Sequence, residues 1–240
     1  MPKHTSSTIR PLWNAFLVLA CAITCFSSLE AAEGALPFAS EIAAFKAADA
    51  LHPPPTGATL FIGSSSIRFW HSLSNDFSGH AVINRGFGGS QISDVLLYPK
   101  EIVFPYQPDA IVFYCGGNDI HARKTPARVF SDFKTFVETV RESLPKTKVY
   151  FISIAPNPAR FSEVEQVREA NKLIEDYCQA HSSRIQFIDI FPLMLFPDGT
   201  PQPDLYGPDR LHMSPAGYAI WTRVVRQAVF GGDHKEGGKN

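Results

Sequence analysis

Five short apolar runs, separated by segments with helical periodicity, constrain the fold of this chain more than any other feature. The runs are nearly continuous instead of alternating with polar residues, which is typical of strands buried on both faces of a sheet. They are Thr59–Ile62, Ala81–Asn84, Ala110–Cys115, Val149–Ile154 and Ile185–Ile190.

Two segments between these runs carry apolar residues at three- and four-residue spacing, which predicts helices with one buried face. One apolar stripe consists of Val129, Phe130, Phe133, Phe136, Val137 and Val140. The other consists of Val164, Val167, Ala170, Ile174 and Tyr177.

Helix start signals support this pattern. Thr125-Pro126 and Ser214-Pro215 each place a capping residue before a proline, the order that is favoured at a helix N-terminus. Ser162 and Glu165 have the spacing of a capping box, which predicts a further helix start at Ser162.

Strand alternating with helix predicts a three-layer α/β domain around a parallel sheet of about five strands. Right-handed crossovers then determine most of the topology. The 45% of hydrophobic residues are ample for the core of one domain, and the sequence shows neither an internal repeat nor an interdomain linker. We therefore place the domain at residues 35–230 and expect residues 231–240 to form a disordered tail.

Residues 1–32 differ in composition from the rest of the chain. Lys3, His4 and Arg10 precede an apolar stretch of 12 residues, Ala15–Phe26, and small residues follow. A membrane-spanning helix needs roughly 20 apolar residues, so this layout is typical of a secretory signal peptide. We expect a secreted or periplasmic protein, with an uncleaved membrane anchor or a lipoprotein signal around Cys21 as the alternative.

Charge and cysteine content exclude several functional classes. The formal net charge is −1 without a long run of one sign, so the chain lacks the basic surface of nucleic-acid-binding proteins and polybasic membrane proteins. Signal cleavage would leave only Cys115 and Cys178, which are too few for a disulfide framework. Cys115 lies in an apolar run and is expected to be a buried free thiol.

Polar residues follow four of the five predicted strands. In sheets of this type, ligands bind in the crevice beyond the carboxyl ends of the strands, so these loops are where a site is expected. They contain Ser64–Ser66, Arg85–Gly89, Gly116–Asp119 and, after a longer connection, Asp209–His212.

The serines and the histidine of these loops suggest nucleophilic chemistry. A hydroxyl is a poor nucleophile unless a base removes its proton, and the usual base is a histidine held by a carboxylate. Asp209 and His212 are three residues apart, so one helix-like turn would bring them to the same side. Taken alone, His212 is more readily a surface or capping histidine, and the residues themselves do not choose among Ser64, Ser65 and Ser66 as nucleophile.

Gly89 and Asn118 could stabilise the oxyanion of an acyl-transfer reaction. Glycine allows close backbone approach, and an asparagine amide is a neutral hydrogen-bond donor. Each residue has a simpler interpretation, a tight turn for Gly89 and a helix cap for Asn118. The catalytic interpretation is favoured because four loops meet at one edge of the sheet, and each supplies one residue type that an acyl-transfer site needs.

In order and spacing, these blocks resemble those of the SGNH, or GDSL-type, hydrolase superfamily. The matching blocks are Gly63–Ser65, Asn84–Gly89, Gly116–Asp119 and Asp209–His212. The resemblance covers about residues 55–230. It implies a flavodoxin-like fold, no metal, no cofactor, and ester hydrolysis in two steps through an acyl-enzyme.

By position, the resemblance assigns the nucleophile to Ser65, the base to His212 and the orienting carboxylate to Asp209. It assigns the oxyanion hole to the backbone N–H groups of Ser65 and Gly89 together with the side-chain amide of Asn118.

The opening block departs from the family pattern. Ser64 stands where the family has aspartate, a departure that resembles a Gly-Ser-Ser-Ser branch of the superfamily. Ser64 and Ser66 are then expected to hydrogen-bond the loop or to cap the following helix.

The resulting hypothesis is an exported serine esterase or acylhydrolase with a small-molecule or polymer-borne ester substrate and no obligatory protein partner. Acetylated carbohydrate and lysophospholipid both remain open as substrates. The lack of a lid-sized insertion predicts a shallow site for short acyl groups. The alternatives are a noncatalytic carbohydrate-binding domain of the same fold and an O-acyltransferase that uses the same residues.

Three further residues lie close to these blocks in the sequence. Trp70 is expected to pack in the core, and Arg68 has no assigned role. His121 is expected either to line the acyl or alcohol pocket or to be solvated. The histidines show no metal-ligand spacing, so no metal site is proposed.

The assignment of the nucleophile leads to a first prediction. Ser65→Ala is expected to abolish hydrolysis of an activated ester, because it removes the hydroxyl that the resemblance assigns as the nucleophile. Ser66→Ala is the matched control and is expected to retain much of the activity. The opposite result in a steady-state assay would show that the nucleophile has been assigned to the wrong serine.

Overall fold

The computed structural model describes Met1 and residues 36–231. Residues 2–32 of the predicted signal peptide and residues 232–240 of the predicted tail lie outside the described residues. Within residues 36–231 the chain forms nine α-helices, five β-strands and four 3₁₀ turns.

The five strands form one parallel sheet in the order β2-β1-β3-β4-β5, which confirms the predicted fold class. This is the flavodoxin-like strand order. The strands are β1 (Thr59–Gly63), β2 (Val82–Gly86), β3 (Ala110–Tyr114), β4 (Lys148–Ile152) and β5 (Ile185–Ile188). The predicted runs were too long at β4 and β5, because Ile154 and Ile190 are buried loop residues with 1% and 0% exposure.

The helices alternate with the strands along the chain. They are α1 (Ala39–Leu51), α2 (Ser65–Arg68), α3 (Leu73–Asp76), α4 (Ile92–Val95), α5 (Pro99–Ile102), α6 (Gly117–His121), α7 (Pro126–Ser143), α8 (Val164–Ala180) and α9 (Pro215–Phe230). The 3₁₀ turns are Phe104–Tyr106, Pro158–Glu163, Pro192–Met194 and Pro203–Leu205. None of the helices in residues 36–231 combines the length and the apolar character needed to cross a membrane.

Two of the three predicted helix caps are present. The Thr125 hydroxyl accepts a hydrogen bond from the Arg128 N–H at 3.2 Å, and the Ser214 hydroxyl accepts one from the Gly217 N–H at 3.3 Å. These bonds begin α7 and α9 as the sequence predicted, since a side-chain oxygen satisfies a backbone donor of the first helical turn.

The predicted capping box at Ser162 and Glu165 is wrong. Ser162 lies inside the 3₁₀ turn Pro158–Glu163, and α8 begins only after Glu163. Asn157 is the residue that caps this segment instead of Ser162. Its side-chain oxygen accepts a hydrogen bond from the Arg160 N–H at 2.9 Å, and Pro158 follows it. This stronger start signal begins the 3₁₀ turn before Ser162 is reached.

The two faces of the sheet pack against different helices. On one face, Phe61 and Tyr150 belong to an apolar cluster. This cluster also includes Trp70, from the segment after α2, and Trp221, from α9. Trp70 is 1% exposed, which confirms its expected place in the core. Its indole also contacts Phe61 edge to face at 5.6 Å, a favourable geometry for aromatic pairs.

On the opposite face, aromatic side chains join the sheet to α7. The Phe113 ring lies 4.5 Å from that of Phe136, and the Phe151 ring lies 4.7 Å from that of Phe133. The apolar stripe predicted for this helix is therefore its buried side, and the sheet is covered by helices on both faces.

Both cysteines of the described region are buried and free. This confirms the expectation for Cys115. Burial raises the pKa of the Cys115 thiol well above its usual range and raises the pKa of Cys178 to about 12. Both thiols are therefore inert side chains of the core.

Gly63, the last residue of β1, is required by the close approach of the neighbouring strand. A Cβ atom at this position would lie 1.9 Å from the Tyr114 carbonyl oxygen, and the backbone has φ +135°. No other residue type fits here without moving β1 away from β3.

A stability measurement tests this constraint. Gly199 also has a positive φ, +84°, but a Cβ there would meet no atom within 4 Å. Gly199→Ala is expected to lower the free energy of unfolding by about 1–2 kcal/mol from backbone strain alone. Gly63→Ala is expected to cost about 1–3 kcal/mol more because of the clash. Equal losses in urea denaturation would contradict the steric argument.

Candidate active site

The candidate site lies where the strand order reverses, at the carboxyl ends of β1 and β3. β1 and β3 are parallel neighbours, but the chain leaves β1 toward β2 on one side of the sheet and leaves β3 toward β4 on the other side. The loops that follow them diverge and leave a crevice. Ser65 follows β1 and Asn118 follows β3.

The turn from β1 into α2 presents one serine to this crevice. The Ser64 N–H donates to the Tyr114 carbonyl at 2.9 Å, which ties the turn to β3. Ser64 occupies the N-cap of α2, but its side chain makes no capping hydrogen bond. Of the two roles expected for its hydroxyl, the helix cap is therefore not observed, and the main chain holds the turn.

Ser66 also lines the crevice, but it is largely buried. It is only 6% exposed, and its carbonyl accepts the Tyr218 hydroxyl at 2.8 Å. Of the three serines, Ser65 is the one that contacts a histidine.

The structure brings together Ser65, His212 and Asp209. The Ser65 Oγ atom lies 2.8 Å from His212 Nε2, although the two residues are 147 positions apart in the chain. On the other side of the ring, His212 Nδ1 lies 2.5 Å from Asp209 Oδ2. This is the connectivity of a nucleophile, a base and an orienting carboxylate.

A tight turn, rather than a helix, aligns Asp209 and His212. The Gly207 N–H donates to the His212 carbonyl at 2.8 Å, and Arg210 has φ +57°. The second carboxylate oxygen of Asp209 accepts the N–H groups of Leu211 and His212, each at 3.0 Å. The carboxylate is therefore fixed before it contacts the ring.

These contacts decide the charge of Asp209. Partial burial acts to raise the pKa of Asp209, but the hydrogen bonds from the His212 ring and the two backbone N–H groups outweigh it and lower the pKa to about 2. An ionised carboxylate can only accept hydrogen bonds. The proton on His212 must therefore be on Nδ1, which leaves the Nε2 lone pair for the Ser65 hydroxyl.

The predicted oxyanion hole consists of the backbone N–H groups of Ser65 and Gly89 and the side-chain amide of Asn118. In residues 36–231, neither the Ser65 nor the Gly89 N–H has a hydrogen-bond acceptor. Gly89 has φ +71°, a conformation that favours glycine. The Asn118 amide donates one hydrogen to the Ser90 carbonyl at 3.0 Å and keeps a second hydrogen for another acceptor.

The crevice has a volume of about 340 Å³ including its open mouth. Ser65, Asn118 and His212 line it, whereas Gly89 and Asp209 do not. The other lining residues are Ser64, Ser66, Tyr114, Gly117, Asn157, Arg160 and Leu211. In residues 36–231, no group of histidine, cysteine and acidic side chains could hold a metal ion.

The oxyanion loop after β2 is supported by a residue that had no assigned role. Arg68 forms an ion pair with Glu41 at 2.8 Å, and the same carboxylate oxygen accepts the Gly88 N–H at 3.2 Å. Arg68 and Glu41 therefore hold the backbone beside Gly89. Sequence reasoning missed Glu41 because it lies in α1, far from the strand ends.

His121 lies at the rim and not in the crevice. Its Nδ1 atom is 2.9 Å from Glu163 Oε1, and its side chain is 56% exposed. Of the two interpretations of His121, the structure agrees with the solvated histidine and not with the pocket residue.

Sequence reasoning also missed Arg160. The Arg160 Nη1 atom donates to Asn118 Oδ1 at 2.9 Å. The predicted site used the loops associated with β1, β2, β3 and β5, whereas Arg160 follows β4. Applied to Asn157–Arg160 as well, the strand-end rule would have found it.

Solved structures share this fold. A GDSL-like lipase from Bacteroides thetaiotaomicron is 22% identical with a TM-score of 0.70, and the match covers 80% of this chain and 98% of that protein. An acetylxylan esterase from Geobacillus stearothermophilus, solved as a catalytic mutant, is 14% identical with a TM-score of 0.59 and coverages of 73% and 95%. No curated protein sequence is significantly similar to this chain.

The family is identified by a comparison of the amino-acid sequence with family profiles. The profile of the GDSL-like Lipase/Acylhydrolase family matches residues 62–220. That range extends from the end of β1 into α9 and includes Ser65, Asn118 and His212. More than half of the chain is therefore accounted for by one family of ester-cleaving enzymes. The chain belongs to the GDSL-like lipase/acylhydrolase family and is a carboxylic ester hydrolase.

Proposed function

We propose that this protein is a serine esterase that cleaves short O-acyl esters through an acyl-enzyme, with Ser65 as the nucleophile. One observation carries the proposal, the continuous chain of contacts from Ser65 Oγ through the His212 ring to Asp209, with distances of 2.8 and 2.5 Å. A binding domain has no need for a base that faces a serine hydroxyl.

In the first step, Ser65 Oγ attacks the ester carbonyl while His212 Nε2 takes its proton. Asp209 holds the ring in the required tautomer and stabilises the imidazolium that forms. The oxyanion receives hydrogen bonds from the N–H groups of Ser65 and Gly89 and from the Asn118 amide. Collapse of the tetrahedral intermediate breaks the ester bond, and His212 donates the proton to the leaving alcohol.

In the second step, water replaces the alcohol. His212 removes a proton from the water, which attacks the acyl-enzyme carbonyl, and the same donors stabilise the second oxyanion. The Ser65 oxygen leaves and regains its proton from His212. The acid is released, and the contact between Ser65 and His212 is restored.

The crevice favours small acyl groups. Little of its volume of about 340 Å³ is enclosed, because that figure includes the open mouth. Hydroxyl, amide and guanidinium groups line it, so a long alkyl chain would leave buried polar groups unpaired. We therefore propose acetyl or similar esters of carbohydrate in preference to lysophospholipid. An acetylxylan esterase with the same fold uses a substrate of this class.

Cellular location is a separate part of the proposal. We propose that the protein is exported, because Ala15–Phe26 with its preceding basic residues has the layout of a signal peptide. Export would place the enzyme where acetylated polymers of the environment are accessible.

Covalent labelling tests the nucleophile independently of any natural substrate. A fluorophosphonate is expected to phosphonylate Ser65, because this hydroxyl alone is activated by the base. Peptide mass mapping should place the adduct on the peptide that contains Gly63–Arg68. Labelling of Ser66→Ala but not of Ser65→Ala is expected. A folded wild-type protein without an adduct would favour a noncatalytic carbohydrate-binding domain.

The orienting role of Asp209 gives a kinetic prediction. Asp209→Asn is expected to lower kcat about a hundredfold or more, because the amide can hold the wrong ring tautomer. Since the pKa of Asp209 is about 2, the carboxylate stays ionised in mild acid and the effect should persist there. Asp204→Asn, which removes an exposed carboxylate from the same region, is the control. Similar activity of the two variants would contradict the proposed role.

A further inference from the structure

The Asn118 amide is held at both ends by groups that determine its orientation. Its Oδ1 atom accepts a hydrogen bond from Arg160 Nη1 at 2.9 Å. Its Nδ2 atom donates to the Ser90 carbonyl at 3.0 Å. If the amide flipped, its N–H₂ group would face the guanidinium donors and its oxygen would face a carbonyl oxygen.

We propose that Arg160 is a positioning residue of the oxyanion site, which fixes the Asn118 amide with its free N–H directed to the reacting oxygen. This inference rests on the proposed function, because it needs an oxyanion for Asn118 to stabilise. Arg160 acts through Asn118 and does not itself contact the reacting atoms.

The location of Arg160 suits this role. Its side chain is half-buried and lines the crevice with Ser65, Asn118 and His212. The Arg160 N–H is held by the Asn157 side-chain oxygen at 2.9 Å. The guanidinium is therefore attached to a backbone segment with its own hydrogen bond, and its position does not depend on substrate.

The same segment contacts the loop that carries the base. The Ala159 N–H donates to the Arg210 carbonyl at 3.1 Å, between Asp209 and His212 in sequence. The Tyr206 hydroxyl hydrogen-bonds the Pro156 carbonyl. The loop after β4 thus joins the oxyanion side of the crevice to its acid–base side, with Arg160 on the oxyanion side.

The charge of Arg160 is not neutralised by an acidic partner in residues 36–231. Arg68 and Arg85 differ in this respect, since each forms an ion pair with a carboxylate. A guanidinium that donates to Asn118 Oδ1 polarises the amide and makes its N–H a stronger donor. This effect grows as negative charge develops on the substrate oxygen, so it acts on the transition state.

Steady-state kinetics of four forms test the proposal: wild type, Arg160→Met, Asn118→Ala and the double variant. Arg160→Met is expected to lower kcat about 10- to 100-fold, the range for loss of a charge-assisted hydrogen bond, with little change in KM. Asn118→Ala is expected to lower kcat about 10²- to 10³-fold. In the Asn118→Ala background, Arg160→Met should have less than about a twofold further effect.

Two further variants separate positioning from folding and from bulk charge. Arg160→Lys keeps a charged donor and is expected to recover part of the lost kcat. Arg168→Met removes a half-exposed arginine on α8, outside the crevice, and is expected to leave kcat unchanged. Thermal unfolding of each variant reports whether the fold is intact.

The outcomes distinguish this inference from the proposed function. Three results would each overturn the positioning role. The first is a double variant whose loss of kcat equals the product of the two single losses. The others are an Arg160→Met variant with a higher KM and unchanged kcat, and an Arg160→Met variant with full activity. Undiminished ester hydrolysis by Ser65→Ala would instead overturn the proposed function. Loss of activity in Ser65→Ala together with a wild-type Arg160→Met would reject the positioning role alone.

Discussion

The pairing of β1 with β3 is the constraint on which the rest of the site depends. Gly63 and Tyr114 are register partners at the ends of these strands, and their backbones approach so closely that no side chain fits at position 63. The chain leaves β1 directly into Ser65 and leaves β3 toward Asn118. One backbone contact therefore determines the separation of the nucleophile and the amide donor, before any catalytic side chain interacts with another.

The base comes from a distant part of the chain, and its position depends on packing. Tyr218 of α9 donates to the Ser66 carbonyl and stacks on Trp70 at 5.2 Å, which connects the helix after His212 to the turn that carries Ser65. The turn at Asp209 then directs the His212 ring toward Ser65 Oγ. The Phe69 ring lies perpendicular to the His212 ring, with 4.8 Å between the ring centroids. The aromatic core and the reaction centre are thus parts of one packed unit.

The sequence predicted the sheet and the residues that meet in the crevice, but it did not predict how they are supported. Continuous apolar runs located the strands, and the strand-end rule selected the loops of Ser65, Asn118 and His212. The capping box at Ser162 was wrong because Asn157-Pro158 starts the turn earlier, a competition between two local signals. Glu41 acts through a long-range contact with Gly88, which no local pattern encodes. Arg160 lies in the loop after β4, where the strand-end rule could locate it, but its contact with Asn118 depends on the packing of two loops that are distant in sequence.

Trapping of the acyl-enzyme tests the central claim most directly. Rapid mixing with an activated acetyl ester, followed by an acid quench and mass analysis of the intact protein and its peptides, measures the covalent intermediate itself. The account predicts one acetyl group per protein molecule, located on Ser65, which appears in the burst phase and disappears as substrate is exhausted. Turnover of the ester without an acetylated species, or an acetyl group on another residue, would contradict it.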